Sequence, residues 1–168
     1  MKRQGVRKSG RGKDSPAPMS PFADLQLEDY IVSDLRFSSN YKMSKGATGP
    51  LPSTTKVDFD VKKHSTDPNI FLIDMVVDLN KGLSPQEFDK YQIHLHLLGQ
   101  FRFTRPLPEE AKSKMIYTNG SSILYGVARS IVAQITGSFG DRKFILPAVN
   151  ILSVLKDKFA APSKSVKQ

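Results

Sequence analysis

The sequence predicts an α+β fold, in which a four-stranded antiparallel sheet is followed by one long and one short helix. Four runs between residues 30 and 103 alternate apolar and polar residues, as strands with one buried face do. Turn-forming stretches at Ser65–Asn69 and Asn80–Pro85 separate the last three runs, which favours an antiparallel meander. Beyond residue 121 the apolar residues recur at the spacing of a helix instead.

Each strand-like run places its apolar residues on one face. In the first run, from Tyr30, the residues Ile31, Leu35 and Phe37 share one parity. The apolar positions of the other three runs are Val57, Phe59 and Val61; Phe71, Ile73, Met75, Val77 and Leu79; and Tyr91, Ile93, Leu95, Leu97, Phe101 and Phe103. Because these residues need a cover, we expect the helices to pack on this side of the sheet.

The long helix is predicted to begin at Ser121 or Ser122, which follow Gly120 and suit an N-cap. Its apolar stripe recurs every fourth residue and consists of Ile123, Val127, Ile131 and Ile135. Residues 137–140 end this helix, and residues 143–146 are expected to run extended up to a proline. A short second helix then carries Ile151, Leu152 and Leu155.

Charge and composition divide the chain into three parts. The net charge is +9, and residues 1–13 hold six lysines and arginines but no acid. We expect residues 1–21 to be a disordered basic tail, residues 22–159 to form one domain, and residues 160–168 to be a second disordered tail. The basic tails could hold nucleic acid, or they could only aid solubility, since no aromatic residue stands between their charges.

Composition also excludes several classes of protein. The chain has no cysteine, no apolar run as long as a membrane span, and no apolar segment after its basic start that would form a secretory signal. These features predict a soluble cytoplasmic protein.

The sequence offers little for catalysis. No nucleophile motif or phosphate-binding glycine loop is present. His94 and His96 share a strand face and could bind a metal only if Asp74 or Asp78 joined them. Two polar residues on a solvated face explain the pair better, so we expect no enzyme activity, no metal and no cofactor.

Two segments carry apolar residues that a compact meander does not require. Residues 40–54 are longer than a hairpin needs, and residues 139–146 follow the long helix. Both could line an apolar groove for extended polypeptide, because methionine and aromatic side chains suit promiscuous binding, or they could simply pin loops to the core. The candidate binding residues are Tyr41, Met43, Leu51, Phe139, Phe144 and Leu146.

Two strings near the C-terminus resemble signatures of the SecB family of protein-export chaperones. They are ILYGVARSIV, from Ile123, and LPAVNILSVL, from Leu146. The chain departs from the family at Gly126, Val127 and Ser130, where the family usually has Pro, Tyr and Glu. It therefore resembles a divergent member, with the sheet and helices arranged as predicted above.

The resemblance implies a bacterial, ATP-independent holdase that binds unfolded polypeptides, with export through the Sec pathway as its first expected role. An alternative is a SecB-like chaperone dedicated to one client, such as an antitoxin. A third, different reading is a nucleic-acid-binding protein that acts through its basic tails.

The resemblance also implies partners. Family members are homotetramers, built as a dimer of dimers, and small residues suit the helix contact between dimers: Gly126, Ser130, Ala133 and Gly137. The family docks on the ATPase SecA through acidic residues, of which only Asp34 is retained; Ser38 and His94 stand at other acidic positions. We therefore expect weak or absent SecA binding.

Overall fold

The computed structural model describes residues 23–39, 53–84, 87–88, 90–139 and 143–160. It contains one four-stranded antiparallel sheet, as predicted. The strands are β1 (Leu25–Ser39), β2 (Thr55–Lys63), β3 (Ile70–Leu79) and β4 (Tyr91–Phe103). Apart from Ala160, the predicted tails lie outside the described residues, so the division of the chain into tails and domain stays a prediction.

The order of the strands corrects the predicted meander. The sheet runs β1-β4-β3-β2, so only β2, β3 and β4 are joined as neighbouring hairpins. Strand β1 pairs instead with β4, from Leu25 opposite Phe103 to Ser39 opposite Tyr91. Strands β2, β3 and β4 follow one another after shorter connections, so each pairs with the next. The connection after β1 is longer and does not require β1 to pair with β2. Strand β1 pairs with β4, which is the strand closest to it in length. Strands β1 and β2 are therefore the two edges.

The long helix is continuous from Glu109 to Ser138, and its predicted start at Ser121 is wrong. It comprises α1 (Glu109–Met115), a π-helical segment (Ile116–Gly120) and α2 (Ser121–Ser138). Gly120 has helical dihedral angles and lies against β3, where an added Cβ would come within 2.9 Å of Ile73 Cδ1. This glycine permits close packing on the sheet and does not precede a cap.

The buried side of α2 also differs from the predicted stripe. Ile123 is 40% exposed, and Val127, Ile131 and Ile135 are half-buried. The buried residues of α2 are Ser121, Leu124, Tyr125, Ala128, Val132, Ala133 and Thr136. Leu124 approaches the sheet most closely above Gly99, where an added Cβ would lie 2.9 Å from Leu124 Cδ1. Because residues 143–150 cover α2 on a second side, small and polar residues are buried beside the apolar ones.

The predicted short helix is present as α3 (Ile151–Ala160). Ile151 is its one buried residue, and Leu152 and Phe159 are exposed. Near its end, Lys158 Nζ donates to the backbone oxygen of Phe59 at 2.6 Å. This contact fastens α3 to the outer edge of β2. Among the described residues, no helix is both long and apolar enough to cross a membrane.

Candidate functional site

An apolar strip of β1 is exposed on the face of the sheet that carries the helices, and no described element covers it. Helix α2 packs on β3 and β4. Residues Tyr30, Val32 and Leu35 lie opposite Gly99, Leu97 and Leu95 of β4, and so share that face. The β4 residues are buried, but the three β1 side chains are 40–44% exposed. Exposed apolar side chains that form a contiguous patch mark interaction surfaces more often than isolated ones do.

An aromatic cluster continues this strip where β1 ends. The ring centroid of Phe37 lies 5.0 Å from that of Phe139 and 5.6 Å from that of Tyr91. The Phe144 ring is 6.5 Å from the Tyr91 ring. The structure therefore links the predicted residues Phe139 and Phe144 through two aromatic residues that sequence reasoning missed. We call Tyr30, Val32, Leu35, Phe37 and Phe139 the β1 surface.

The pairing of β1 with β4 explains why Phe37 and Tyr91 were missed. Phe37 is the last apolar position of β1, and Tyr91 is the first residue of β4. The two residues meet only because the strands are antiparallel neighbours. If antiparallel pairing of β1 with β4 had been considered, the aromatic residue near the end of β1 and the one at the start of β4 would have been expected to meet.

Residues 143–150 are held against α2 by side chains of the helix. Tyr125 Oη donates to the Pro147 oxygen at 2.7 Å, and Arg129 Nε donates to the Leu146 oxygen at 3.0 Å. Burial raises the pKa of the Tyr125 phenol, so this group keeps the proton that it donates. Thr136 Oγ1 accepts from the Phe144 N–H at 2.9 Å. These three hydrogen bonds fix the position of residues 143–150 beside α2.

The predicted binding residues separate into three groups. Phe139 is 61% exposed and Phe144 is half-buried in the aromatic cluster. Leu146 is fully buried in the core, so its side chain offers no surface to a bound polypeptide, whereas its neighbour Ile145 is exposed. Tyr41, Met43 and Leu51 lie outside the described residues.

The side of α2 that faces away from the sheet carries uncharged residues, several of which have small side chains. Gly126, Ser130 and Gly137 are exposed, while Ala133 is only 7% exposed. At about 100° per residue, the first three fall on one side of the helix, together with other exposed or half-buried residues. We call this side the outer α2 face, which consists of Ile123, Gly126, Val127, Ser130, Gln134 and Gly137.

The opposite face of the sheet carries paired charges. Asp34 Oδ2 accepts from Arg36 Nη2 at 2.8 Å, and this hydrogen bond lowers the pKa of Asp34. His94 Nδ1 lies 2.6 Å from Asp78 Oδ1. Burial would raise the pKa of Asp78, but hydrogen bonds from Lys81 and His94 outweigh it, and the pKa lies below its usual value. Both carboxylates therefore carry a negative charge at neutral pH, and that charge is balanced by a neighbouring arginine or lysine.

The two strand histidines each lie beside a carboxylate on the helix-free face of the sheet. His96 Nε2 lies 2.6 Å from Asp74 Oδ1, so each imidazole is engaged by a separate carboxylate. In the part of the chain that the structure describes, no three His, Cys, Asp or Glu side chains come together as metal ligands would.

Comparison with known proteins places the fold. No protein-family model and no curated protein matches the chain. Among solved structures, it is similar to the Mycobacterium tuberculosis Rv1957 SecB-like chaperone in complex with a ChAD peptide from the Rv1956 HigA1 antitoxin. The TM-score is 0.54 at 16% identity, and the match covers 75% of this chain and 91% of that chain. A protein of unknown function from Streptococcus agalactiae matches at a TM-score of 0.41 and 12% identity, over 74% of this chain and 97% of that chain.

Proposed function

We propose that this chain, which has the SecB-like fold, is an ATP-independent chaperone that holds unfolded polypeptide segments. The observation that carries the proposal is the β1 surface, in which exposed apolar side chains continue into an aromatic cluster. A surface of this kind binds whatever exposes apolar groups, because burial of those groups stabilises the complex without any specific chemistry. A folded client has already buried them, so binding distinguishes unfolded from folded chains.

The client proposed first is a single dedicated polypeptide, such as an antitoxin. Support comes from the similar Mycobacterium tuberculosis chaperone, whose structure holds an antitoxin peptide. A general role in Sec-dependent export is the second proposal. It would require docking on SecA, and the one retained acidic position, Asp34, is bound by Arg36. We propose weak or absent SecA binding; calorimetry that finds submicromolar affinity for SecA of the same organism, lost in Asp34→Ala, would reverse this choice.

We also propose that the chain assembles as a dimer of dimers through two surfaces. The free edge of β1 can pair with a second β1 through backbone groups alone, which leaves the side chains of the β1 surface accessible. The outer α2 face supports the second contact, because Gly126 and Gly137 allow another helix to approach closely. An added Cβ at Gly126 meets no atom within 4 Å, so Gly126→Glu tests the contact without disturbing the subunit.

The chaperone proposal is tested by aggregation of an unfolded model substrate without nucleotide. The variant Tyr30→Ser/Leu35→Ser/Phe139→Ser removes exposed apolar groups from the β1 surface, and we expect at least about tenfold more protein to be needed for the same protection. The control is Leu152→Ser on α3, since Leu152 is 56% exposed and lies outside the β1 surface. Equal protection by the triple variant, or equal loss in the control, would contradict the proposal.

A further inference from the structure

The short helix α3 exposes an apolar stripe to water. Leu152 is 56% exposed and Phe159 is 73% exposed. Because these two residues are seven positions apart, they lie on one side of the helix about two turns from each other, with the half-buried Leu155 between them. A different side of the helix holds α3 to the protein, through the buried Ile151 and through Lys158. The stripe therefore contributes little to the core and is accessible to a partner.

The charged residue of α3 that lies nearest to this stripe is Lys156. At about 100° per residue, Lys156 adjoins the stripe, whereas Asp157 points to the far side of the helix. Lys156 is exposed and forms no ion pair with any described residue. Lys158 adds no free charge, because Asp58 and Asp60 already bind it. The stripe thus combines exposed apolar side chains with an uncompensated cation.

Two segments outside the described residues carry most of the net charge. Residues 161–168, which follow α3, contain two lysines, and residues 1–13 contain six lysines and arginines. The two segments hold eight of the 25 lysines and arginines and none of the 16 acids, so they account for nearly all of the net charge of +9. The proposed chaperone activity uses neither of them. An apolar helical stripe next to cations is typical of helices that bind the surface of an anionic membrane.

From these observations, we infer that α3 docks on an anionic lipid surface, with Leu152 and Phe159 inserted among the acyl chains and Lys156 at the level of the headgroups. The cations of residues 161–168 and 1–13 add electrostatic attraction. A protein partner fits less well, because a specific protein interface buries roughly 1,200 Å² or more, and two side chains supply much less. Apolar insertion and charge are each weak alone, so binding is reversible and requires both. The inference does not depend on the proposed chaperone activity.

The test is flotation of the full chain with vesicles of phosphatidylcholine alone or with about one quarter phosphatidylglycerol. We expect the partition coefficient to be at least about tenfold larger on the anionic vesicles and to fall as salt is raised. Leu152→Ser/Phe159→Ser should lower it at least about tenfold. The matched control is Phe139→Ser/Ile145→Ser, because these residues are 61% and 56% exposed elsewhere on the surface. Equal partition on both kinds of vesicle, or equal loss in both double variants, would overturn the inference.

A fluorescent reporter separates insertion from attraction by charge. The chain has no tryptophan, so Phe159→Trp introduces a single indole at the stripe. We expect its emission to move to shorter wavelength on anionic vesicles, because the indole leaves water, whereas Phe139→Trp should show no such shift. Binding of Phe159→Trp without a change in emission would mean that charge alone holds the chain, which contradicts the inserted stripe.

A matched pair of charge variants gives a third check. Lys156→Glu/Lys164→Glu reverses two charges beside the stripe, and Lys56→Glu/Lys62→Glu makes the same net change at exposed positions of β2. We expect at least about tenfold weaker partition in the first variant and a much smaller loss in the second. Equal losses would show that net charge, and not α3, directs binding. Binding of single-stranded RNA but not of anionic vesicles would assign the cations to nucleic acid and also overturn the inference.

Discussion

The two edges of the sheet are treated differently. At the β2 edge, Lys158 of α3 donates to the Phe59 oxygen and forms ion pairs with Asp58 at 3.0 Å and Asp60 at 2.6 Å. Its cation thus occupies a backbone acceptor that another strand would use. At the β1 edge, among the described residues, no helix lies along the strand in this way, and Ile31 and Val32 are exposed.

The difference indicates which edge is available for pairing. Exposed strand edges are aggregation hazards, and proteins usually block them with charges, bulges or a covering element. Strand β1 has register irregularities at Leu27/Asp29 and at Val32/Asp34, but the pairing between them is regular, and Tyr30, Ile31 and Val32 there carry apolar or aromatic side chains. Within the described residues, α3 thus closes one edge and a defined part of the other stays open, as expected for an edge that has a partner.

The largest effect on assembly is expected when charged residues, which usually protect exposed strand edges, are introduced into β1. Ile31→Lys/Val32→Lys places lysines on both faces of β1, and symmetric pairing would bring them close to their copies. We expect the dimer dissociation constant to rise at least about tenfold, measured by sedimentation equilibrium. Leu152→Lys on α3 is the control and should leave assembly unchanged. An assembly of unaltered mass in the double variant would show that β1 does not mediate pairing.

A smaller effect is expected when the closed edge is opened. Lys158→Met keeps the length of the side chain but removes its hydrogen bonds to β2, and the free energy of unfolding should fall by about 1–2 kcal/mol. Burial would lower the pKa of Lys158, but Asp60 and Asp58 raise it above its usual value, so the cation is present at neutral pH. The control is Lys156→Met, at an exposed position of the same helix.

Hydrogen exchange locates the effect of Lys158→Met. Amides of β2 should exchange faster in this variant than in the control, whereas amides of β1 should be unchanged. Equal protection of β2 in the two variants would mean that α3 does not guard that edge.

Acid should produce the smallest effect, in part through two carboxyls at the start of β1. Hydrogen bonds from Arg105 to Asp24, and from Gln100 and Arg102 to Glu28, lower the pKa of each carboxyl below its usual value of 3.8 or 4.5. The stability they contribute is therefore complete above those usual values and is lost as pH falls through the lowered ones. We expect the melting temperature to fall by a few degrees between about pH 5 and pH 3. Asp24→Asn should show a shallower decline; an identical pH profile would exclude this pair as a cause.

The strands could be predicted because alternation reports one buried face directly, and β2, β3 and β4 are joined by short turns. The partner of β1 could not, because a long connection carries no information on pairing. The start of the long helix was misplaced at Gly120 and Ser121, since glycine followed by serine looks like a helix cap. Only the sheet beneath shows that this glycine makes room for Ile73.

Two residues of the aromatic cluster were named from the sequence, and their role in binding stays a prediction. Phe139 and Phe144 were recognised as apolar residues in a connecting segment, and the structure brings both to the aromatic cluster. Leu146 carries the same sequence signal but is fully buried in the core, and its exposed neighbour Ile145 faces the other way. The β1 surface was hidden for another reason. Alternation groups Ile31 with Leu35 and Phe37, but the register shift between Val32 and Asp34 puts Tyr30 and Val32 on their face and Ile31 on the opposite one, which corrects the predicted parity of this strand.

The π-helical segment Ile116–Gly120 controls the orientation of α2. Its wider turn inserts residues into the helix, and each residue added or removed there would rotate everything that follows by about 100°. A single deletion would turn Leu124 away from Gly99 and carry Ile123 to a new direction. Insertions and deletions at this one point could therefore change which side of α2 meets a partner, while every residue of α2 stays the same. In an evolutionary comparison, the length of this segment should be more informative than the identity of its residues.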